Sequence, residues 1–131
     1  MKLLRIAIAE DSWFVAEHLR GEVAALGHAV VGLARTGDEL VALVERERPD
    51  LALVDVRLAN GSDGLAAARE IQERFGVPAV AATGQLKPAE AAAAGLLGVL
   101  SKPYTSAALA AVLSRAADWL EGGTSRPFLL R

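Results

Sequence analysis

Glu10, Asp11, Asp55, Thr83 and Lys102 are the residues best suited to chemistry, because each closes or follows a short apolar run. Leu3 to Ala9 leads into Glu10-Asp11, Leu51 to Val54 into Asp55, Pro78 to Ala82 into Thr83, and Leu97 to Leu100 toward Lys102-Pro103. If the runs are parallel strands, their carboxyl ends share one sheet edge, where ligands bind in open α/β folds. Three carboxylates, one hydroxyl and one ammonium then meet in a single pocket. Carboxylates clustered in this way raise one another's pKa unless a cation intervenes, so the all-oxygen set predicts magnesium, with manganese as a substitute. Asp55 ends a central strand and is the candidate nucleophile. A carboxylate that attacks a phosphoryl donor forms an acyl phosphate, and the charge on the phosphoryl oxygens calls for a metal, a lysine and small donors. Lys102 and the Thr83 hydroxyl supply the last two, Gly84 leaves room for phosphate oxygens, and Pro103 admits a cis bond beside the lysine. Taken singly, Asp11 reads equally well as a helix cap, whereas Lys102 reads less well as an ordinary surface lysine because Pro103 fixes the backbone beside it; the coincidence of three acids carries the argument.

The elements that position these residues alternate along the chain. Val15, Leu19, Val23 and Leu26 recur at helical spacing, with Gly27 as the expected C-terminal cap. Thr36-Gly37-Asp38-Glu39 matches a capping box ahead of Leu40, Leu43 and Val44, and Pro49 closes that second helix. Leu65, Ala68, Ile71 and Phe75 mark a third, with Gly76 beyond its end. A short alanine-rich fourth runs from Pro88 to Ala94, closed by Gly95, and should be the most mobile element because it buries little. The fifth, expected to be the longest, carries Leu109, Val112, Leu113, Ala116 and Leu120 after a Thr105 or Ser106 cap. His28 to Ala34 adds one more strand. Five βα units with short connections predict a doubly wound α/β domain with a five-stranded parallel sheet and five helices. Its continuous apolar strands 51–54 and 79–82 are central.

The chain has 131 residues, enough for one self-sufficient core, and no cysteine, which removes disulfides, zinc-thiolate sites and thiol nucleophiles. A formal charge of -2 gives no electrostatic footprint for nucleic acid. No apolar run reaches the roughly 20 residues that span a bilayer, and the start carries charge where a signal-peptide core would lie, so a cytoplasmic location away from the membrane is expected. The domain is expected over 1–121, with a tail over 122–131 too short to be a second one.

Ile8-Ala9-Glu10-Asp11, the stretch from Arg48 to Leu58 around Asp55, Ser62-Asp63-Gly64, Ala82-Thr83-Gly84 and Ser101-Lys102-Pro103-Tyr104 together resemble the receiver domain of two-component response regulators. The resemblance covers roughly residues 3 to 121. It implies the flavodoxin-like receiver fold with strand order 2-1-3-4-5. It further implies that Asp55 takes phosphate from a sensor histidine kinase or a histidine phosphotransfer protein in a phosphorelay. Glu10 and Asp11 would position Mg2+ with Asp55, Arg57 would lend its backbone carbonyl to the ion, and Thr83 and Lys102 would hold the phosphoryl oxygens and drive the switch. Such a module catalyses only its own aspartyl phosphorylation and dephosphorylation and is not otherwise an enzyme. Receivers usually carry an aromatic residue three positions before the motif lysine, where this chain has Val99, so a rotating aromatic is not expected. The Ala81-Ala82-Thr83-Gly84 stretch is similar to an alphaproteobacterial group of single-domain receivers named for a Phe-Ala-Thr-Gly motif, with alanine in place of its aromatic. A stand-alone receiver signals by protein contact. The expected patch is Ala91, Ala92, Ala107, Ala111 and Trp119, on the face of the fourth helix, fifth strand and fifth helix, with a phosphorylation-dependent homodimer as one use.

Other readings fit less well. A haloacid-dehalogenase-like phosphatase needs a second acid two residues after its aspartate, where this chain has Arg57. A flavodoxin-like electron carrier needs a Ser/Thr/Gly-rich loop where Glu10-Asp11-Ser12-Trp13 stands. A non-phosphorylated pseudo-receiver is the alternative closest in fold, and the intact Asp55, Thr83 and Lys102 argue against it. His18 sits in a segment like that of phosphotransfer domains but inside an α/β pattern, so it belongs to a solvated helix face. His28 has no evident partner, and Trp13 is placed either at the pocket rim or in packing.

Overall fold

Apolar strands that cannot satisfy water on either side must be covered on both faces, and the chain does this with five helices. The computed structural model describes residues 3–84 and 88–122, and only the backbone of Pro88 and Ala92. The expected tail from Gly123 onward and the connection 85–87 lie outside the described residues. In chain order the elements are β1 (Arg5–Ala9), α1 (Trp13–Ala25), β2 (Ala29–Ala34), α2 (Gly37–Glu47), β3 (Leu51–Asp55), a 3-10 turn (Ala59–Gly61), α3 (Gly64–Phe75), β4 (Ala79–Thr83), α4 (Pro88–Ala93), β5 (Gly98–Ser101) and α5 (Ser106–Gly122). All strand pairs are parallel and the order is β2-β1-β3-β4-β5, as expected.

The sheet divides two unlike cores. Ile6, Ile8, Leu51, Leu53 and Val80 face Leu19 and Val23 of α1 and Leu109, Val112 and Leu113 of α5. Ala7, Ala9, Ala52, Ala79 and Ala81 alternate to the other face, under Leu40, Leu43, Val44, Ala67, Ala68 and Ile71 of α2 and α3. One side of the sheet is thus bulky, while the other is mostly alanine with Val54 and Val99 among it. Each fully buried Leu or Ile contributes about 1.5–3 kcal/mol over its exposed state.

Caps set the helix starts. Thr36 accepts from the Glu39 amide at 3.1 Å, while the Glu39 carboxylate accepts from the Arg35 amide at 2.8 Å, one residue earlier than a reciprocal box requires. Thr105, not Ser106, caps α5, its hydroxyl accepting from the Ala108 amide at 3.0 Å. Ser12 caps α1, which frees Asp11 from that role. Gly76 ends α3 in the left-handed region, with φ 68.

Two burial expectations are corrected. Val15 is exposed, because α1 turns Ala16, Leu19 and Val23 inward, a phase that spacing alone does not separate from one through Val15. Ala91 is fully buried rather than outward, since the short α4 packs its small side chains onto the alanine-rich core. Ala107 and Ala111 are exposed as expected, and Trp119 packs partly against the α5 side.

A candidate phosphoacceptor site

The chain leaves β1 for one face of the sheet and enters β3 from the other, so the carboxyl ends of these neighbours open a crevice at the point where the order reverses. Glu10 and Asp11 follow β1, Asp55 is the last residue of β3, and Thr83 is the last of β4. Register places Asp55 beside Ala82 and Thr83 beside Ser101. Lys102 follows the end of β5, so the five expected residues reach one sheet edge. Asp11, Asp55, Arg57, Thr83, Gly84 and Lys102 line a cleft of about 570 Å³ there, with Glu10 beneath it. A larger hollow of about 670 Å³ between α3 and α4 is lined by residues such as Arg69, Glu73 and Glu90 and holds no comparable cluster.

Carboxylate oxygens of Glu10, Asp11 and Asp55 lie within 4.8 Å of one another, the one such acidic group among the described residues. Glu10 is 5% exposed. Burial pushes its carboxyl above the usual range, with the Ser12 amide, which donates at 3.0 Å, pulling the other way. Lys102 reaches in from the end of β5: its Nζ donates to Asp55 Oδ2 at 2.7 Å and to Glu10 Oε1 at 3.3 Å. Burial alone would lower this ammonium's pKa, but the Asp55 hydrogen bond and the two carboxylate charges outweigh it and hold the lysine charged. The lysine backbone is fixed as well, since its amide donates to the Thr83 carbonyl at 2.8 Å; the Lys102–Pro103 bond is cis. Asp55 Oδ1 accepts from the Arg57 amide at 3.1 Å.

Arg57 itself pairs with Asp63 in an antiparallel bridge whose hydrogen bonds are made by Leu58 to Ser62 and Gly64 to Val56. That pairing leaves the Arg57 carbonyl without a donor among the described residues. Three carboxylates and an open carbonyl are hard oxygen ligands of the kind magnesium takes. The residues present therefore fit the expected ion.

Three features went unread in the sequence. Ser12 holds Glu10 in place, the Arg35 guanidinium donates to the Asp11 carbonyl at 3.2 Å, and the turn Ala59–Gly61 folds residue 64 back toward Asp55. Only Asn60-Gly61, a turn pair, signalled any of them. Of the histidines set aside, His18 is exposed and pairs with Glu22 at 3.6 Å. His28 is buried and its Nδ1 accepts from the Leu4 amide at 3.0 Å. Trp13, 67% exposed, stands outside the core, just past the acidic pair.

Comparison with known proteins gives the same picture. The response regulator receiver domain matches residues 6–114. The chain is 37% identical to the phyllosphere-induced regulator PhyR of Methylorubrum extorquens over 85% of its length and 42% of that protein's. It is 38% identical to the transcriptional regulatory protein PdtaR of Mycobacterium tuberculosis over 77% of its length and 50% of the relative's. The chain thus spans half or less of these curated relatives. Among solved structures, the response regulator PhyR from Brucella abortus superposes with a TM-score of 0.78 at 31% identity, covering 93% of this chain and 51% of that one. The signal receiver domain of a modulated diguanylate cyclase from Desulfovibrio desulfuricans G20 reaches 0.83 at 27% identity, covering 94% and 100%. With the sheet order, the acidic crevice and these relatives in agreement, the chain belongs to the response regulator receiver domains of two-component signalling.

Proposed function

We propose that this receiver accepts a phosphoryl group on Asp55 from the phosphohistidine of a sensor histidine kinase or a histidine phosphotransfer protein, and signals through protein contact. The observation that carries the reading is the placement of Asp55 at the rim of the crevice, with an ammonium at 2.7 Å and two further carboxylates within 4.8 Å. In the transfer an Asp55 carboxylate oxygen attacks phosphorus, the phosphorus–nitrogen bond to the donor imidazole breaks, and the departing nitrogen keeps the electron pair and takes up a proton. The product is an aspartyl phosphate. Glu10, Asp11, Asp55 and the Arg57 carbonyl would hold Mg2+, which when bound neutralises charge on the phosphoryl oxygens. Lys102 carries its own charge to the same oxygens, and the Thr83 hydroxyl is positioned to donate to one of them. Wild-type chain should label from a small phosphodonor with Mg2+, and Asp55→Asn should not; equal labelling of the two overturns the assignment.

The donor surface in this reading is the first turn of α1. Trp13 and Phe14 are 67% and 77% exposed directly after the acidic loop, and such large apolar side chains beside a pocket suit an apolar helix carrying the phosphohistidine. The switch in this reading is backbone movement of Gly84 and of α4. Val99, in the position of the usual aromatic, is buried in the core and has no ring to turn. The output face is α4, β5 and α5, where Ala107 and Ala111 give a flat, small-residue surface. A relative from Bartonella quintana is described as an anti-anti-sigma factor, so a regulator of transcription is one class of partner that fits.

A further inference from the structure

Glycine at the first position of a helix interior to a domain costs helix stability, and Gly64 stands there in α3. Space explains it. A Cβ on Gly64 would overlap the carbonyl oxygen of Asp55, and would lie 2.9 Å from the Asp55 carbonyl carbon and 3.0 Å from the Val56 Cα, where ordinary contact begins at 3.4 Å. These are backbone atoms at the carboxyl end of the central strand β3 and of the residue that follows it, so they cannot turn aside as a flexible side chain would. The Gly64 amide meanwhile donates to the Val56 carbonyl at 2.8 Å, closing the hairpin from Arg57 to Asp63. That hairpin turns through two left-handed residues, Asn60 with φ 59 and Gly61 with φ 71. It is also held from the far side, where the Gly37 amide donates to Ser62 Oγ at 2.7 Å and the Ala59 amide to the Arg35 carbonyl at 2.8 Å. The hairpin has no slack in which to absorb an added methyl group.

We propose that Gly64 is a positioning residue for the phosphoacceptor: the missing side chain lets the start of α3 rest on the Asp55 backbone, and that contact fixes both the Asp55 carboxylate and the Arg57 carbonyl. The inference rests on Asp55 as the phosphoacceptor. Any side chain at position 64 must push apart α3 and the end of β3 by on the order of an ångström, which is the scale of misplacement that slows a positioned reaction about a hundredfold. It also moves two of the oxygens offered to the ion. Removing support for metal ligands typically weakens binding about 10–100-fold.

The test compares Gly64→Ala with Ala68→Gly, which weakens the same helix at a buried position away from Asp55. Both are made in a Gly21→Ala background. Gly21 lies in α1 with nothing within 4 Å of an added Cβ, so that change gives the variants stability to spare. Magnesium alone is titrated against the amide shifts of Val56 and Arg57, and labelling by a small phosphodonor is timed at saturating Mg2+. Gly64→Ala is expected to bind Mg2+ about tenfold more weakly and to label about a hundredfold more slowly, with a cooperative thermal transition. Ala68→Gly should change neither by more than about twofold for a comparable loss of stability. If Gly64→Ala stays within that range, or if the two variants lose binding and rate alike, Gly64 only supports the helix and the inference falls. If the background protein itself takes no label, the reading of Asp55 fails instead, and the magnesium titration still decides whether Gly64 positions the site.

Discussion

Replacing Lys102 by methionine removes the one ammonium that touches the acidic cluster among the described residues, while keeping most of the side-chain volume. Its nitrogen lies 2.7 Å from Asp55 and 3.3 Å from Glu10, and about a third of the side chain remains exposed. At an effective dielectric near 20, each pair carries a gross attraction of about 5–6 kcal/mol, most of it offset by desolvation of the charges. What remains is on the scale of one charged hydrogen bond in a half-open site, about 2 kcal/mol. For a domain of this size that lowers the melting temperature by roughly 6–8 °C without divalent ions. Magnesium should narrow the gap, because the ion supplies the charge that the lysine no longer brings. The assay is a thermal melt of both proteins with chelator and with saturating Mg2+, and the increment produced by Mg2+ should be larger for Lys102→Met. Melting temperatures within about 1 °C in chelator, or equal increments, would refute the view that Lys102 neutralises this cluster.

Three further outcomes are expected. Asp11→Asn should weaken Mg2+ binding, read by titration, and leave stability in chelator unchanged or higher, since the empty cluster loses one repulsive charge. The buried His28 holds its proton less tightly than an ordinary imidazole because burial disfavours its charge. Above pH about 6.5 both folded and unfolded chains keep it neutral and stability is full; as pH falls through that value the unfolded chain takes up the proton first and stability declines. Urea unfolding between pH 7.5 and about 5.5 should show this slope, and His28→Gln should flatten it. Beryllofluoride with Mg2+ should slow amide exchange across Gly84 and α4, checked by hydrogen exchange mass spectrometry, and unchanged exchange there would exclude backbone movement as the switch.

Much of this protein was legible because its strands announce where they end. A carboxylate closing a run as apolar as Leu51 to Val54 has one place to go, the carboxyl edge of a buried parallel strand, and Asp55 is there. The same logic placed Thr83 and Lys102, and the structure adds that the lysine bridges Asp55 and Glu10. Helix phase was harder. In α1 both Val15 and Ala16 satisfy a spacing of three or four to Leu19, and only packing against the sheet chose Ala16. Alanine is equally uninformative in α4, where Ala91 proved buried, because its small side chain fits a core or a surface. Gly64 shows what sequence spacing does not register: the need for an absent side chain, which depends on a backbone carbonyl nine positions earlier.

Whether Asp55 is the phosphoacceptor is decided by mapping the label. The intact chain is incubated with a small phosphodonor and Mg2+, its mass is measured, and the modified peptide is sequenced by tandem mass spectrometry. One added phosphoryl group is expected, on the peptide that carries Asp55, lost in chelator and labile to base. A phosphoryl group found on His18 or His28, or none on any residue while the Mg2+ titration shows a filled site, would contradict the assignment to Asp55.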